Sequence, residues 1–150
     1  MDERFAQQAK DTYRVNQIQM ASKEQLLIIT YDIGIRSCVA AEKAIEVNDV
    51  EQINNHLKRA QAVVRELMVT LNLEQGGEVA ASLMRLYDYM YFQLVEANVK
   101  KEGEPIKMVR QMLEELKSTW MEAISKLKME TGDKKVAAVA PSAGGTNFAY

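Results

Sequence analysis

One histidine, one cysteine and a pair of adjacent glutamates are the side chains in this sequence whose types could support catalysis or metal binding. They are His56, Cys38, Glu114 and Glu115. A di-iron bundle needs a Glu-x-x-His motif on each of two helices, which a single histidine cannot supply. A lone cysteine provides neither a disulfide framework nor a cysteine-based zinc site. The two glutamates fit a solvated helix face. Since none of these side chains forms a catalytic or metal-binding group, we expect no enzyme activity, no metal site and no cofactor.

The surroundings of His56 leave one chemical alternative open, a histidine phosphotransfer domain. Such domains carry an exposed helical histidine in the pattern His-x-Leu-Lys-Gly. Here the order is His56, Leu57, Lys58 and Arg59, so the lysine comes one position early and the glycine is missing. We therefore favour a surface histidine on the polar side of a helix.

The bulk properties narrow the class of protein further. The chain has 150 residues and a formal net charge of -2, which is enough for one domain and gives no electrostatic case for nucleic acid. The start, MDERFAQQAKD, lacks the basic and apolar regions of a signal peptide. No apolar run approaches the ~18 residues of a membrane span. We expect a cytoplasmic protein without membrane insertion.

Two capping boxes mark the starts of predicted helices. Ser22 with Gln25, and Asp49 with Gln52, place a side-chain acceptor before a helix and a glutamine three residues later. Apolar residues follow each box at steps of three and four, which is the spacing of one helix face. The sequence thus predicts a first helix from Ser22 and a second from Asp49.

Glycine and proline separate the remaining helices. Gly76–Gly77 ends the second helix, and Pro105 suits the first turn of a fourth. Short connections between long amphipathic helices favour antiparallel neighbours. We therefore predict an all-α protein, an antiparallel up-down four-helix bundle over residues 22–130. An N-terminal arm (1–21) and a flexible C-terminal tail (131–150) flank it.

The first and third predicted helices carry more apolar surface than one core requires. On the third, a core arc and an adjoining second sector together span about half the circumference, wider than the ~100° stripe of an ordinary bundle helix. The first helix has LLII at residues 26–29, which points in every direction. The core arc is Val79, Leu83, Leu86, Met90, Leu94 and Ala97, and the second sector is Ala80, Met84, Tyr87, Tyr91, Val95 and Asn98.

Two interpretations of this second sector remain open. The tyrosine rings either cap the edges of the core or line a groove for a partner helix, since a tyrosine tolerates both burial and water. The arm YRVNQIQMAS, residues 13–22, either lies in such a groove or is a disordered leader. Phe148 and Tyr150 in the tail are either without a role or a docking motif that folds back.

Several stretches together resemble the flagellin-specific export chaperones of the FliS family. They are YRVNQIQMAS, LLIITYD at residues 26–32, KRAQAVVRELMVTLNLEQGGEVA at residues 58–80 and LYDYMYFQLVEAN at residues 86–98, followed by Trp120. The resemblance covers residues 13–124. It implies a cytoplasmic antiparallel bundle that holds the C-terminal segment of flagellin, prevents premature polymerisation and presents the client to the flagellar export gate. Flagellar regulatory proteins are further expected partners.

The resemblance also implies which residues contact the client. Tyr13, Asn16 and Gln17 would be arm residues that cover an empty groove, and Gln61 would be a polar anchor. The expected lining is Leu26, Leu27, Tyr31, Tyr87, Tyr91 and Asn98. Trp120 is expected in the core. The alternative from a different class is a general helical adaptor that uses the extra apolar sector for self-association.

Overall fold

A computed structural model describes residues 3–11 and 22–133 of the chain, and most of these residues are helical. The helices are α1 (residues 3–11), α2 (Lys23–Glu46), α3 (Val50–Thr70), α4 (Leu73–Lys100) and α5 (Glu104–Asp133). The predicted arm contains α1, a short helix with exposed side chains that we did not predict. The rest of the predicted arm and most of the predicted tail lie outside the described residues.

Polar contacts between α3 and α4 fix their relative direction. Asn98 near the end of α4 donates to Asn54 near the start of α3, with Nδ2 and Oδ1 2.9 Å apart. One to two turns earlier on α4, Tyr91 accepts from Arg65, which lies further along α3. Higher residue numbers on one helix therefore pair with lower numbers on the other, so the two helices are antiparallel.

The same reasoning applies to α2 and α5. Lys117 Nζ lies 2.6 Å from Asp32 Oδ1, and Arg110 Nε lies 2.6 Å from Glu42 Oε1. Since α2 also packs against α3, and α4 against α5, the helices close into a ring of four. The predicted all-α, antiparallel up-down bundle is confirmed.

The N-terminal caps of the bundle helices follow the sequence signals. The Ser22 side chain accepts from the Gln25 amide and the Gln25 side chain accepts from the Ser22 amide, which completes a capping box. Asp49 accepts from the Gln52 amide and caps α3. Pro105 is the second residue of α5, as its fixed φ favours.

The predicted break at Gly76–Gly77 lies inside α4 rather than before it. Asn72 caps a first turn that starts at Leu73, because its side chain accepts from the Gln75 amide. Gly77 then adopts φ 55° and ψ -134°, a conformation that a glycine reaches at little steric cost. α4 is consequently a short first turn joined by a kink to a long helix.

The core runs along the axis of the bundle. Gly34 permits the closest approach of α2 to its neighbours, because a Cβ there would lie 2.9 Å from Val63 Cγ1 and 3.2 Å from Leu113 Cδ1. The largest fully buried side chains are Tyr31, Tyr87, Ile53, Leu57, Leu67, Met90, Leu94, Ile106, Leu113, Val64, Val109 and Cys38.

Candidate functional site

Three polar aromatic side chains meet inside the core and tie three helices together. The hydroxyls of Tyr31 on α2 and Tyr87 on α4 lie 2.5 Å apart, and Trp120 Nε1 on α5 donates to the Tyr31 hydroxyl at 3.0 Å. Burial raises the pKa of both tyrosines, because the charged phenolate would lose its hydration there. The cluster keeps polar groups satisfied within an apolar interior, as expected of a structural element.

This arrangement corrects part of the predicted groove lining. Tyr87 is 1% exposed and Tyr31 is fully enclosed, while Leu27 packs in the same core. These three side chains do not line an accessible groove in this conformation, and their role as client contacts stays a prediction. The predicted core face of α4 was misplaced only in its first half, where Ala80 and Tyr87 are buried and Val79 is exposed. Trp120 lies in the core, as expected.

Three other predicted residues gather along the seam between α3 and α4. Tyr91 is half-buried, with its hydroxyl 2.6 Å from Arg65 Nη2 and its ring centroid 5.4 Å from the Arg65 guanidinium carbon. Asn98, also half-buried, donates to Asn54 and accepts from a lysine. Gln61 is half-buried on α3, seven residues after Asn54 and so on the same face. Their role as client contacts stays a prediction.

The remaining predicted residues lie elsewhere. Leu26 is 38% exposed on α2, seven residues before Ile33, which is exposed on the same face. Tyr13, Asn16 and Gln17 fall outside the described residues. The predicted contacts therefore do not form one continuous surface in the described part of the chain.

A concave groove lies between α2 and α5. It has a volume of about 660 Å³, formed where the first turns of α2 run beside the last turns of α5. Helical spacing explains the α5 wall, since Met121, Ile124 and Lys128 are three and four residues apart and share one face of that helix. The lining is Glu24, Gln25, Ile28, Ile29, Met121, Ile124, Ser125, Lys128 and Met129.

The floor of the groove is half-buried, whereas its rim is exposed. Ile28, Ile29 and Ile124 are half-buried and provide apolar surface. Met121 and Met129 stand at the rim, 50% and 68% exposed. Methionine is unbranched and polarisable, so it adapts to varied apolar ligands. The groove therefore suits an amphipathic helix or an aromatic segment better than a small polar molecule.

Beyond the groove, ion pairs connect α2 to α5. A shallower depression of about 440 Å³ continues from Met121 and includes the Lys117–Asp32 pair. Further along, Arg110 bonds to both Glu42 and Glu114, and its hydrogen bond to Glu42 raises the pKa of the arginine. Charged side chains thus link α2 to α5 in the middle of the bundle, while the apolar end is left open.

Sequence reasoning missed most of this groove. The LLII stretch did signal extra apolar surface on α2, and it supplies Ile28 and Ile29. Extra apolar surface was predicted only for the first and third helices of the bundle, so the α5 wall of the groove was not anticipated. The exposed Met121 and Met129, eight residues apart in the last turns of α5, were the available signal.

The residues with catalytic potential are dispersed. His56 is half-buried rather than fully at the surface, and its buried Nδ1 atom has no hydrogen-bond partner among the described residues. Burial raises the pKa of the Cys38 thiol to about 12, which keeps it protonated and unreactive at neutral pH. Within residues 3–11 and 22–133, no cluster of three or more acidic, histidine or cysteine side chains could hold a metal ion. No helix there is long and apolar enough to cross a membrane.

Comparison with solved structures finds the same architecture in another protein. A bacterial flagellar chaperone, known from its crystal structure, aligns with a TM-score of 0.66 and 22% sequence identity. The alignment covers 81% of this chain and 98% of that one. At this identity the likeness concerns the architecture alone.

Sequence comparison then establishes the family. The family model described as "Flagellar protein FliS" matches residues 5–127. The chain is 33% identical over 112 residues to the flagellar secretion chaperone FliS of Bacillus subtilis, covering 75% of this chain and 83% of that protein. It is 34% identical over 114 residues to the Campylobacter jejuni FliS chaperone, covering 76% and 89%. The chain therefore belongs to the FliS family of flagellar export chaperones, and the resemblance seen in the sequence is confirmed.

Proposed function

We propose that this chaperone binds the C-terminal segment of flagellin in the cytoplasm, keeps it from polymerising too early and delivers it to the flagellar export gate. Family membership supports the chaperone role, and the name flagellar secretion chaperone is shared by the relatives from Bacillus and Campylobacter. The observation that carries the proposal at the level of geometry is the open apolar groove between α2 and α5.

The proposed mechanism is burial without covalent chemistry. A client helix with apolar residues at positions i, i+3, i+4 and i+7 would lay that face against Ile28, Ile124 and Met121. Covering these side chains removes apolar surface from water on both partners, which is favourable by roughly 25 cal/mol per Å². The client would in turn lose access to the surface through which it assembles with other copies.

Ordering the client has a cost that the groove alone would not offset. Coupled folding and binding typically costs about 2–5 kcal/mol or more. The exposed Leu26 and Ile33 on α2, and the half-buried Tyr91 and Asn98 at the α3–α4 seam, offer further contacts along the bundle. We propose that the client wraps the chaperone, with one amphipathic segment in the groove and others on these surfaces. Flagellar regulatory proteins would compete for the same surfaces.

Calorimetry with matched flagellin variants tests this function. Full-length flagellin and flagellin lacking its N-terminal segment should both bind the full chaperone chain, whereas flagellin lacking its C-terminal segment should not. Because the contacts are apolar, affinity should change little between about 0.1 M and about 1 M salt, over which the screening length falls from ~10 Å to ~3 Å. Equal binding of all three flagellins would overturn the proposal.

A further inference from the structure

We infer that the C-terminal tail of this chain is itself an occupant of the α2–α5 groove in the free chaperone, with the Phe148 and Tyr150 rings seated against Met121 and Met129. The tail begins where α5 ends, at Asp133, and the groove lies beside the last turns of that same helix. The point at which the tail leaves α5 therefore lies on the same helix end that forms one wall of the groove.

The length of the tail suits this return. Met129 and Met121 lie about 6 Å and about 18 Å back along the axis of α5 from Asp133, at 1.5 Å per residue. A small-residue-rich chain of about 15 residues has a root-mean-square span of about 19–23 Å. Residues 134–147, KKVAAVAPSAGGTN, have this composition and place Phe148 within reach of either methionine. A linker whose span matches the distance gives an effective concentration on the order of millimolar.

The chemistry of the two surfaces matches as well. Met121 and Met129 present their thioether ends at the rim of the groove, and thioether sulfur makes favourable contacts with aromatic rings. In the segment after Pro141, Phe148 and Tyr150 are the large apolar side chains in an otherwise small and polar sequence. Weak intrinsic affinity is sufficient for such a pairing, because the tether supplies the concentration.

The consequence is competition with the client, and this consequence rests on the proposed function. When a site is open in only a fraction of molecules, apparent affinity falls by that fraction. Removing both rings should therefore tighten client binding about twofold if the tail fills the groove half of the time. The gain would be about tenfold at nine-tenths occupancy.

Methionine methyl NMR on the full chain tests the tail position without any client. In the unmodified chain, ring currents should shift the Met121 and Met129 methyl signals, and the double variant F148A/Y150A should abolish those shifts. The Met90 methyl is fully buried in the core and should not respond. The matched control is Phe92→Ala, which removes an exposed phenylalanine on α4, away from the groove, and should leave both rim methyls unchanged.

Three results would overturn the inference. Rim methyl signals that are insensitive to F148A/Y150A would show that the rings lie elsewhere. Shifts that disappear on dilution would assign the groove to the tail of a second copy. If the rim methyl signals respond to Tyr13→Ala and do not respond to F148A/Y150A, the groove is occupied by the N-terminal arm. If no variant binds flagellin, the proposed function fails, yet the methyl signals still decide the position of the tail.

Discussion

The hydroxyl of Tyr87 lies 2.5 Å from that of Tyr31, and both rings are enclosed in the core of the bundle. Trp120 donates to the same Tyr31 oxygen from a third helix. Two tyrosines that the sequence offered as client contacts are thus parts of the scaffold. The client surface that we propose instead is the groove between α2 and α5.

Tyr87→Phe should destabilise the bundle modestly while preserving its shape. The change removes one buried hydrogen bond and keeps the ring, so the free energy of unfolding should fall by about 0.5–1.5 kcal/mol. Urea denaturation measures this. Tyr89→Phe is the matched control, because Tyr89 is 46% exposed and its hydroxyl donates to a methionine sulfur. An unchanged stability of Tyr87→Phe would contradict a structural role for the buried hydroxyl.

Alkaline pH should destabilise the fold, because the buried Cys38 thiol and Tyr87 hydroxyl ionise less readily in the folded chain than in the unfolded one. Burial raises the pKa of Cys38 from 9.0 to about 12 and raises the pKa of Tyr87 above 10.0. The stabilisation is complete below the unfolded-state pKa and is lost as pH rises toward the folded-state pKa, because the unfolded chain releases protons first. Urea midpoints should therefore be level below about pH 9 and fall above it.

Cys38→Ala isolates one contribution to this alkaline loss. The variant should be less stable at neutral pH, because a small cavity remains. Its stability should nevertheless fall less steeply between pH 9.0 and about 12, by up to about 1.4 kcal/mol per pH unit. An identical slope in the two proteins would mean that the thiol ionises as readily folded as unfolded.

Gly34→Ala should destabilise the bundle even though alanine is the better helix former. The new methyl would meet Val63 Cγ1 at 2.9 Å, and valine has little rotamer freedom in a helix. Overpacking of about 1–3 kcal/mol exceeds the ~1 kcal/mol gain in propensity. Thermal unfolding measures the balance. At Gly103, where the added Cβ would lie 3.7 Å from Ile45, the same change should be tolerated.

Tyr91→Glu should weaken client binding and leave helicity intact. Tyr91 is half-buried beside Arg65, whose guanidinium can pair with the new carboxylate, so the bundle tolerates the change. Loss of an aromatic contact at the α3–α4 seam should reduce affinity about fivefold, or ~1 kcal/mol. Circular dichroism and calorimetry separate the two effects. Unfolding of the variant would instead make Tyr91 a core residue, and Tyr91→Phe serves as the control that keeps the ring.

The fold was predictable because local signals and helical periodicity agreed. Ser22 and Asp49 cap their helices as their spacing indicates, and Pro105 lies in the first turn of α5. The site was less predictable, because core and surface sectors adjoin on an apolar helix. Assigning Val79 to the core arc and Tyr87 to the second sector misplaced the core-facing side of the first half of α4, whereas Met90, Leu94 and Ala97 are buried as predicted.

The groove itself escaped prediction for a related reason. Ile28 and Met121 are more than ninety residues apart in sequence, and their proximity depends on how α2 and α5 pack. Periodicity shows which faces of a helix are apolar, but it does not show which face a neighbour covers. Family resemblance likewise indicated specific client contacts, but none of those that the structure describes lines this groove.

The most direct test of the central claim compares two single substitutions in their affinity for the flagellin C-terminal segment. Met121→Glu places a charge at the rim of the groove, and Val99→Glu places one at another exposed apolar site, near the end of α4. Measured by calorimetry, Met121→Glu should weaken binding by about tenfold or more, and Val99→Glu by less than about twofold. Equal affinities for the two variants would show that the client does not use the groove between α2 and α5.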